Sequence, residues 1–239
     1  MAHMNRIMLI QYLIDKNGYS TYLEIGSQRG ESLLPIKCRK KIAVDPCFLL
    51  KNKDKLKACF QNYTNFNNKY FEMTSDDFFL NRKSFLNNLG KLEIVFIDGL
   101  HTFSASLKDA LNSLEYLDDN GTIVMHDCFP PHKAAATKGD NAAEVISRKH
   151  TIKGWTGEWC GDTWKTIVYL KHKYSSQLDI QVLNNDYGIG IIKYKIDTIL
   201  DLNIDYDLVN KIDKLNYEDL INKPQEMISL VDEIKYENY

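Results

Sequence analysis

Residues 21–30 read Thr21-Tyr22-Leu23-Glu24-Ile25-Gly26-Ser27-Gln28-Arg29-Gly30, and this run sets the fold of the chain. Residues 21–25 predict a short strand, and Gly26 predicts the sharp turn that ends it. A helix is predicted over residues 31–36 despite Pro35, which a helix tolerates only within its first turn. A strand, a glycine turn and a helix in this order are typical of an open parallel sheet, which binds ligands at the carboxyl ends of its strands.

The same alternation of strands and helices extends on both sides of this turn. An earlier helix ends at Asn17-Gly18 and carries Ile7, Ile10 and Ile14 at near-helical spacing. Four further strands are predicted at residues 41–44, 70–73, 92–97 and 122–125. Before the last of these strands lies an amphipathic helix with one apolar stripe: Phe103, Leu107, Leu111 and Leu114. We therefore predict an α/β fold with a Rossmann-like, doubly wound and mostly parallel sheet.

The pattern changes after Asp127. Residues 129–141 contain Pro130-Pro131 and little periodicity, so they predict a long loop that is either functional or disordered, and a lid role stays open. Residues 164–170 and 180–192 are predicted as two extended segments that form an antiparallel hairpin at one edge of the sheet. We divide the chain into a domain of residues 4–198 and a C-terminal helical extension, residues 199–239, that packs on the same domain.

Composition excludes several classes of protein. The chain has 239 residues, of which 44% are hydrophobic and 26% are charged, with a formal net charge of −2. This length fits one large domain, and the lack of a basic excess argues against a nucleic-acid partner. No run approaches the roughly 20 apolar residues that cross a bilayer. The five cysteines are odd in number and form no C-x-x-C pair, so we expect reduced thiols and a cytoplasmic location.

Acidic residues stand at the ends of most predicted strands. Glu24 lies two positions before Gly26, where a carboxylate suits a cationic ligand, and the spacing G-x-x-x-G differs from the dinucleotide fingerprint G-x-G-x-x-G. Asp45 ends the next strand, where an acidic side chain accepts both hydroxyls of a ribose. Ser75-Asp76 follows the third strand and is predicted to meet an adenine edge. The structural alternatives are a plain turn at Gly26 and helix-capping or turn roles for the other residues.

Five motifs occur together in the order found in one enzyme family. Over residues 5–128 the chain resembles the class I S-adenosylmethionine-dependent methyltransferases, and it is similar to the bacterial branch tied to sugar, glycan and natural-product O-methylation. The motifs are Tyr-Leu-Glu-Ile-Gly-x-x-x-Gly at 22–30, Val-Asp-Pro at 44–46, Ser-Asp-x-Phe-Phe at 75–79, Phe-Ile-Asp-Gly-x-His at 96–101 and His-Asp-Cys at 126–128.

The resemblance implies two groups of site residues. The first group binds the donor S-adenosylmethionine, and it comprises Glu24, Gly26, Ser27, Gly30, Asp45, Ser75, Asp76 and Asp98. The second group lines the transfer site. There Asp98 and Asp127 are the implied ligands of a magnesium ion, an optional second cofactor. His101 is the implied general base, and Asp98 takes part in catalysis with it.

The chemistry of methyl transfer agrees with these residue types. A sulfonium methyl group is already activated, so the protein must align it with a nucleophile and remove a proton. Carboxylates suit magnesium, which lowers the pKa of a bound hydroxyl, and histidine suits a base at neutral pH. His126 is predicted to face away from Asp127. The alternatives are a helix-start role for His101, a turn or cap role for Asp127, a metal-free site, and further metal ligands at His132, Glu158 or Asp162.

The sequence therefore predicts an O-methyltransferase that acts on a hydroxyl of a small acceptor, a sugar or a nucleotide sugar of a surface glycan pathway. The alternatives are an oxygen acceptor in a phenol or a phosphorus oxyacid, and a non-catalytic S-adenosylmethionine-binding module. The glycine spacing disfavours a nicotinamide-dependent oxidoreductase. We expect a small-molecule acceptor as partner, no nucleic acid and no membrane span, and we leave a homo-oligomer open.

Overall fold

The fold is taken from a computed structural model that describes residues 4–195 and 199–232. The chain separates into two units, of which the first lies within Met1–Gly99 and Lys108–Val124. The second unit lies within Leu100–Leu107 and Met125–Tyr239. Residues 196–198 and 233–239, which end the predicted domain and the predicted extension, lie outside the described residues. The predicted division at residue 198 stays a prediction.

Strands and helices alternate in the first unit. Its strands are β1 (Thr21–Ile25), β2 (Lys40–Asp45), β3 (Lys69–Glu72), β4 (Leu92–Ile97) and β5 (Leu117–Met125), and they lie in the order β3-β2-β1-β4-β5. The helices of this part of the chain are α1 (Arg6–Asn17), α2 (Asn52–Gln61), α3 (Ser75–Asn81), α4 (Lys83–Leu89) and α5 (Phe103–Tyr116). The predicted α/β alternation is therefore confirmed.

The register of the strands determines which residues share an edge of the sheet. β1 is parallel to β2 on one side and to β4 on the other, and β2 is parallel to β3. Ile25 pairs with both Val44 and Ile97, so the three strands end at the same level. All five residues of β1 are buried. The turn after β1 and Asp98 after β4 therefore leave the sheet at one edge.

The second unit combines helices with a hairpin. Its elements are α6 (Ala142–Ser147), α7 (Trp164–Lys173), β6 (Leu178–Leu183), β7 (Ile189–Tyr194), α8 (Tyr206–Asp213), α9 (Tyr217–Asn222), α10 (Pro224–Ile228) and β8 (Leu230–Val231). β6 and β7 are antiparallel, and β8 adds to β6 in parallel. An antiparallel hairpin is thus present as predicted, but residues 178–183 and 189–194 form it, and residues 164–170 take no part. Three helices follow residue 199, where a helical extension was predicted.

The helix predicted over residues 31–36 is wrong, because this segment forms successive turns. Pro35 has no backbone N–H, so a helix here could not complete its hydrogen bonds. Buried side chains bind the carbonyl groups instead. Lys41 Nζ donates to the oxygens of Leu33 and Ile36, each at 2.8 Å, and Asn62 Nδ2 donates to those of Leu34 and Ile36, at 3.0 and 2.9 Å.

The extended segment predicted over residues 164–170 is also wrong, because these residues begin α7. Their aromatic and β-branched side chains favour strands. All seven are buried, however, and a helix that is buried on every side lacks the amphipathic pattern that identifies a surface helix. The hairpin therefore forms within residues 178–194, where the second predicted segment is divided by a turn at residues 184–188.

The last strand of the first unit begins earlier than predicted. The Asp119-Asn120-Gly121 sequence predicts a turn, but it lies inside β5, which starts at Leu117. Asn120 still makes a local polar contact, in which its backbone N–H donates to Asp118 Oδ1 at 3.0 Å. Its carbonyl oxygen accepts a hydrogen bond from the buried Tyr19 hydroxyl at 2.5 Å, and this bond joins the strand to the segment before β1.

Candidate active site

The turn after β1 brings two strand ends into contact. Gly26 has φ +89°, and a Cβ atom added there would lie 2.0 Å from the carbonyl oxygen of Asp98. The Gly26 N–H donates to Val44 O, and the Asp98 N–H donates to Ile25 O, both at 2.9 Å. Gly26 is therefore required where the ends of β1 and β4 meet, which is a backbone reason for glycine independent of any ligand.

Glu24 is a buried carboxyl group at the end of β1. It is 1% exposed and accepts a hydrogen bond from the hydroxyl of Tyr22, which is also buried. Burial raises the pKa of Glu24 to about 7, because the charged form loses its hydration. Ser27 Oγ donates to the backbone oxygen of Glu24 at 3.4 Å. The sequence analysis missed Tyr22, although a tyrosine two residues before a glutamate in a strand shares its face.

Asp45, the last residue of β2, connects this strand to the turn after β1 by hydrogen bonds. Its Oδ2 accepts the Gln28 backbone N–H, and its Oδ1 accepts the Cys47 backbone N–H, both at 2.8 Å. The turn role that the sequence left open is therefore present. The predicted contact with a donor ribose remains a prediction, and it would use the remaining acceptor capacity of the same two oxygens. Gly30 closes this turn with φ +73°.

Ser75 and Asp76 occupy the first turn of α3 and do not cap it, since Thr74 accepts the Asp77 N–H at 3.1 Å. Asp76 pairs with Lys108 at 2.9 Å, and both side chains are about half exposed. Ser75 donates a hydrogen bond to Asp109, whose pKa burial raises to about 7. The Oδ1 atom of Asp109 is buried without a hydrogen-bond partner among the described residues. The sequence analysis did not single out Asp109.

Asp98 follows β4 and faces a basic residue of α1. Arg6 Nε lies 4.0 Å from Asp98 Oδ2, and the two side chains are 23% and 20% exposed. Arg6 Nε also donates to Ser32 Oγ at 3.4 Å. Asp98 thus has a cationic neighbour within the first unit, which the sequence did not indicate because α1 is far from β4 along the chain.

His101 and Asp127 lie together in the second unit. His101 Nε2 is 3.1 Å from Asp127 Oδ2, and His101 Nδ1 is 2.7 Å from the carbonyl oxygen of Trp159. A carbonyl oxygen only accepts, so Nδ1 carries a hydrogen and Nε2 is the ring nitrogen directed at the carboxylate. Asp127 is 5% exposed and has φ +59°, a strained backbone conformation that is concentrated at functional sites.

His126 contacts Asp127 and does not face away from it. Its Nδ1 lies 3.3 Å from Asp127 Oδ2, and its Nε2 lies 3.5 Å from Asp186 Oδ1. The alternation of a strand would separate the two side chains, but β5 ends at Met125 and the positive φ of Asp127 turns its side chain back. Asp127 is therefore held between two imidazole rings.

The turn of the β6–β7 hairpin belongs to the same cluster. Asp186 and Tyr187 have φ +47° and +63°, and they are the central residues of a turn that the Gly188 N–H closes by donating to Asn185 O at 2.9 Å. The Phe129 N–H donates to Tyr187 O at 2.8 Å, and the Tyr187 hydroxyl donates to Glu158 at 2.8 Å. The signal for this turn is Asn184-Asn185-Asp186-Tyr187-Gly188, which is rich in residues that tolerate positive φ.

The three further metal ligands considered from sequence have other partners. His132 Nε2 lies 3.0 Å from Thr156 Oγ1 and 3.3 Å from Glu158 Oε2. Asp162 Oδ1 lies 3.4 Å from Lys165 Nζ, and both side chains are buried. The loop of residues 129–141 is bound to the following segment, since Ala135 O accepts the N–H groups of Cys160 and Gly161 at 2.9 and 3.0 Å.

Residues 23–128 match a family model described as a methyltransferase domain. This segment is therefore similar to a methyltransferase domain. The match confirms the class of enzyme predicted from the five motifs. It contains the last three residues of β1, all of β2–β5, and Glu24, Asp98, His101 and Asp127. No curated protein matches the chain significantly.

Solved methyltransferase structures share the fold of this domain and of the chain around it. The SAH-bound methyltransferase PaMTH1 of Podospora anserina is 16% identical, with a TM-score of 0.54, and the match covers 82% of this chain and 80% of that one. An O-methyltransferase of Bacillus cereus in complex with SAH is 11% identical, with a TM-score of 0.54, and the match covers 82% and 84%. These likenesses confirm the predicted Rossmann-like fold.

A third structure has the same fold with lower identity. The O-methyltransferase TomG of Streptomyces achromogenes, in complex with SAM, is 9% identical, with a TM-score of 0.52, and the match covers 78% of each chain.

Among the described residues, the helices are too short or too polar to span a bilayer.

Proposed function

We propose that the chain is an O-methyltransferase that uses S-adenosylmethionine and methylates a hydroxyl of a small acceptor. The observation that carries the proposal is the His101–Asp127 pair in a chain whose residues 23–128 are similar to a methyltransferase domain. O-methyl transfer needs a group that removes the proton of the hydroxyl, and a histidine beside a buried carboxylate is suited to that task. The names of the structural neighbours, two of them O-methyltransferases, agree with this reaction.

The residues of the first unit fit the donor. Bound S-adenosylmethionine would supply a methyl group that its sulfonium has already activated. Glu24, Gly26, Ser27, Gly30, Asp45, Ser75, Asp76 and Asp98 are the proposed donor-binding residues. Buried carboxyl groups suit a ligand with a sulfonium and an ammonium group. Asp109 Oδ1 adds a buried acceptor that has no hydrogen-bond partner within residues 4–195 and 199–232.

His101 acts as the general base of the proposed reaction. The Trp159 carbonyl accepts the Nδ1 hydrogen, so Nε2 is the ring nitrogen left to accept the proton of the acceptor hydroxyl. Because Nε2 faces Asp127 Oδ2, the hydroxyl would approach beside this carboxylate, and the proton would be shared by Nε2 and Oδ2. The imidazolium that forms lies 3.1 Å from Asp127 Oδ2, which stabilises its positive charge. Asp98 is three residues before His101, and a chain of that length spans at most about 11 Å.

A magnesium ion at Asp98 and Asp127 is the less favoured part of the sequence prediction. Magnesium prefers oxygen ligands. Asp98 lies 4.0 Å from the Arg6 guanidinium, and Asp127 Oδ2 lies within 3.3 Å of two imidazole nitrogens. The Arg6 guanidinium competes for the Asp98 carboxylate, and the imidazole nitrogens beside Asp127 are poor ligands for magnesium, so these neighbours favour proton transfer. Turnover after chelation, with and without added magnesium, tests the prediction.

The acceptor class is proposed from the motifs. A sugar or nucleotide sugar follows from the branch that the motifs resemble, and a phenol or a phosphorus oxyacid is the second candidate. The Trp159 ring lies 5.5 Å from the His101 ring, which places an aromatic face beside the base, and such a face stacks on a sugar or a phenol. A surface glycan pathway, a cytoplasmic location and a homo-oligomer remain parts of the proposal.

Calorimetric titration separates the donor hypotheses. We expect S-adenosylmethionine and S-adenosylhomocysteine to bind with a stoichiometry of about one per chain, and NAD to give no heat of binding. Incubation with radiolabelled S-adenosylmethionine and a panel of nucleotide sugars, free sugars and phenols then identifies the acceptor. Donor binding without any transfer would favour the non-catalytic module. NAD binding in the absence of S-adenosylmethionine binding would contradict the proposal.

A further inference from the structure

The first helical residue of α1 places a guanidinium group beside Asp98. α1 is anchored by four buried side chains, Leu9, Ile10, Leu13 and Ile14. Asn5 caps the helix by accepting the Met8 N–H at 3.0 Å. The backbone of Arg6 is therefore held in a fixed place, since both the cap and the buried face lie within two turns of it.

Arg6 contacts one proposed donor residue, Asp98, and a residue beside another, Ser32. Its Nε lies 3.4 Å from Ser32 Oγ, two residues after Gly30, and 4.0 Å from Asp98 Oδ2, directly after β4. Ser32 is buried, whereas about a fifth of the Arg6 and Asp98 side chains is exposed. The charged pair can therefore be reached by a small molecule, and its surroundings still reduce screening by water.

We propose that Arg6 binds the α-carboxylate of the methyl donor while Asp98 faces the α-ammonium of the same ligand. This inference rests on the proposed function, because it concerns the amino-acid end of S-adenosylmethionine. The two charges of an α-amino acid sit on one carbon atom, and Arg6 and Asp98 present the opposite charges 4.0 Å apart. A guanidinium offers a planar fork of N–H groups that matches a carboxylate.

Arg6 thereby becomes a specificity-determining residue of the donor site. Ser32 orients its side chain, and Asp98 holds the guanidinium in place before the ligand binds. Arg6 contributes no binding free energy to the adenosine part of the donor, since Arg6 and Asp98 recognise only the amino-acid end. Ligands that lack this end should therefore be insensitive to any change at residue 6.

The test compares S-adenosylhomocysteine with methylthioadenosine, which has the adenosine and thioether groups and lacks the amino acid. Calorimetric titrations use the full chain with Arg6→Met and Arg6→Lys. Arg39→Met is the matched control, because Arg39 is exposed and precedes β2 at the opposite end of the strands. We expect Arg6→Met to weaken S-adenosylhomocysteine binding by about 10- to 100-fold, the range for hydrogen bonds to a charged group, and to leave methylthioadenosine binding unchanged. Arg6→Lys should recover part of the loss.

Unchanged S-adenosylhomocysteine affinity in Arg6→Met would overturn the inference, and so would an equal loss for both ligands, which indicates a structural role at the end of α1. Equal losses of S-adenosylhomocysteine affinity in Arg6→Met and Arg39→Met would show that the effect comes from net charge alone. That result would overturn the inference as well. Failure of the unmodified chain to bind S-adenosylhomocysteine would instead contradict the proposed function.

Discussion

At the scale of single residues, burial of charge governs the behaviour of this protein. Glu24 and Asp109 are nearly inaccessible carboxyl groups, and burial raises the pKa of each to about 7. Lys41 is 1% exposed, and burial lowers its pKa to about 8. Each group lies in the first unit near residues proposed for donor binding. Their protonation should therefore affect both stability and the donor site.

His101 is the residue on which the proposed chemistry depends. We expect His101→Ala to reduce the turnover number by about 10²- to 10⁴-fold, the usual contribution of a positioned general base. Affinity for S-adenosylhomocysteine should stay within about twofold, a difference of roughly 0.4 kcal/mol, because the proposed donor residues lie elsewhere. His150→Ala is the matched control, since His150 is exposed in a short 3-10 helix. A normal turnover number in His101→Ala would remove His101 from the base role.

Glu24 should make the stability of the protein depend on pH. Its pKa is about 7 in the folded state against an ordinary value of 4.5, so between these values the folded chain binds a proton that the unfolded chain releases. The free energy of unfolding should therefore fall as pH rises through this range, by up to about 3 kcal/mol from this group. Urea unfolding at pH 5 and pH 8 measures the change.

Glu24→Gln should reduce this pH dependence, since glutamine does not titrate. Asp109→Asn provides the comparison, because burial raises the pKa of Asp109 to about 7 as well. We expect each single variant to lose part of the dependence and the double variant to lose more. An unchanged difference in unfolding free energy between pH 5 and pH 8 in Glu24→Gln would contradict the assigned pKa.

At the scale of elements, two turns determine the geometry of the donor region. The turn after β1 lies against the end of β4, and the segment of residues 31–36 is held by side chains of β2 and of the 3-10 helix Tyr63–Asn67. Both arrangements depend on contacts between residues that are distant in sequence.

Gly26→Ala should damage the fold more than alanine at another glycine of similar backbone conformation. Its added Cβ would lie 2.0 Å from Asp98 O, whereas a Cβ at Gly90, with φ +92°, meets nothing within 4 Å. The cost of positive φ is similar in the two variants, so the difference reports the contact between β1 and β4. We expect Gly26→Ala to lose at least about 3 kcal/mol more than Gly90→Ala in urea unfolding. Equal losses would show that the strand ends can separate.

Lys41 should be required for the segment of residues 31–36. Its Nζ donates to Leu33 O and Ile36 O at 2.8 Å and also to Asn65 Oδ1, so Lys41→Met would leave these acceptors without their donor. We expect a loss of about 2–5 kcal/mol in unfolding free energy. Lys40→Met is the matched control, because Lys40 is exposed at the start of β2. A loss no larger than that of Lys40→Met would contradict the role.

At the scale of the whole molecule, donor binding should stabilise the folded chain. A ligand present at about 100 times its dissociation constant adds about 2.7 kcal/mol, which corresponds to roughly 5–10 °C in Tm for a chain of this size. Differential scanning calorimetry with S-adenosylhomocysteine measures the shift, and NAD at the same concentration is the control. An equal rise with NAD would contradict the specificity for the donor.

The local sequence is sufficient to predict the strands β1 and β4, the helix α1 with its end at Gly18, and the methyltransferase motifs. These features depend on short-range patterns: apolar runs, glycine turns and acidic residues placed directly after strands. Asp98, His101 and Asp127 could also be named from sequence. They follow β4 and β5 directly, and residues at the carboxyl ends of parallel strands are the usual positions of functional groups.

Tertiary contacts account for the remainder, because they join residues that no local pattern connects. Residues 31–36 form turns since Lys41, Asn62 and Asn65 bind their carbonyl groups. Residues 164–170 form a helix that is buried on every side, and periodicity cannot distinguish such a helix from a buried strand. Tertiary contacts also supply the partners of the functional residues. Arg6 reaches Asp98 from a helix more than ninety residues earlier, and His126 reaches Asp127 because a positive φ reverses the direction of the chain.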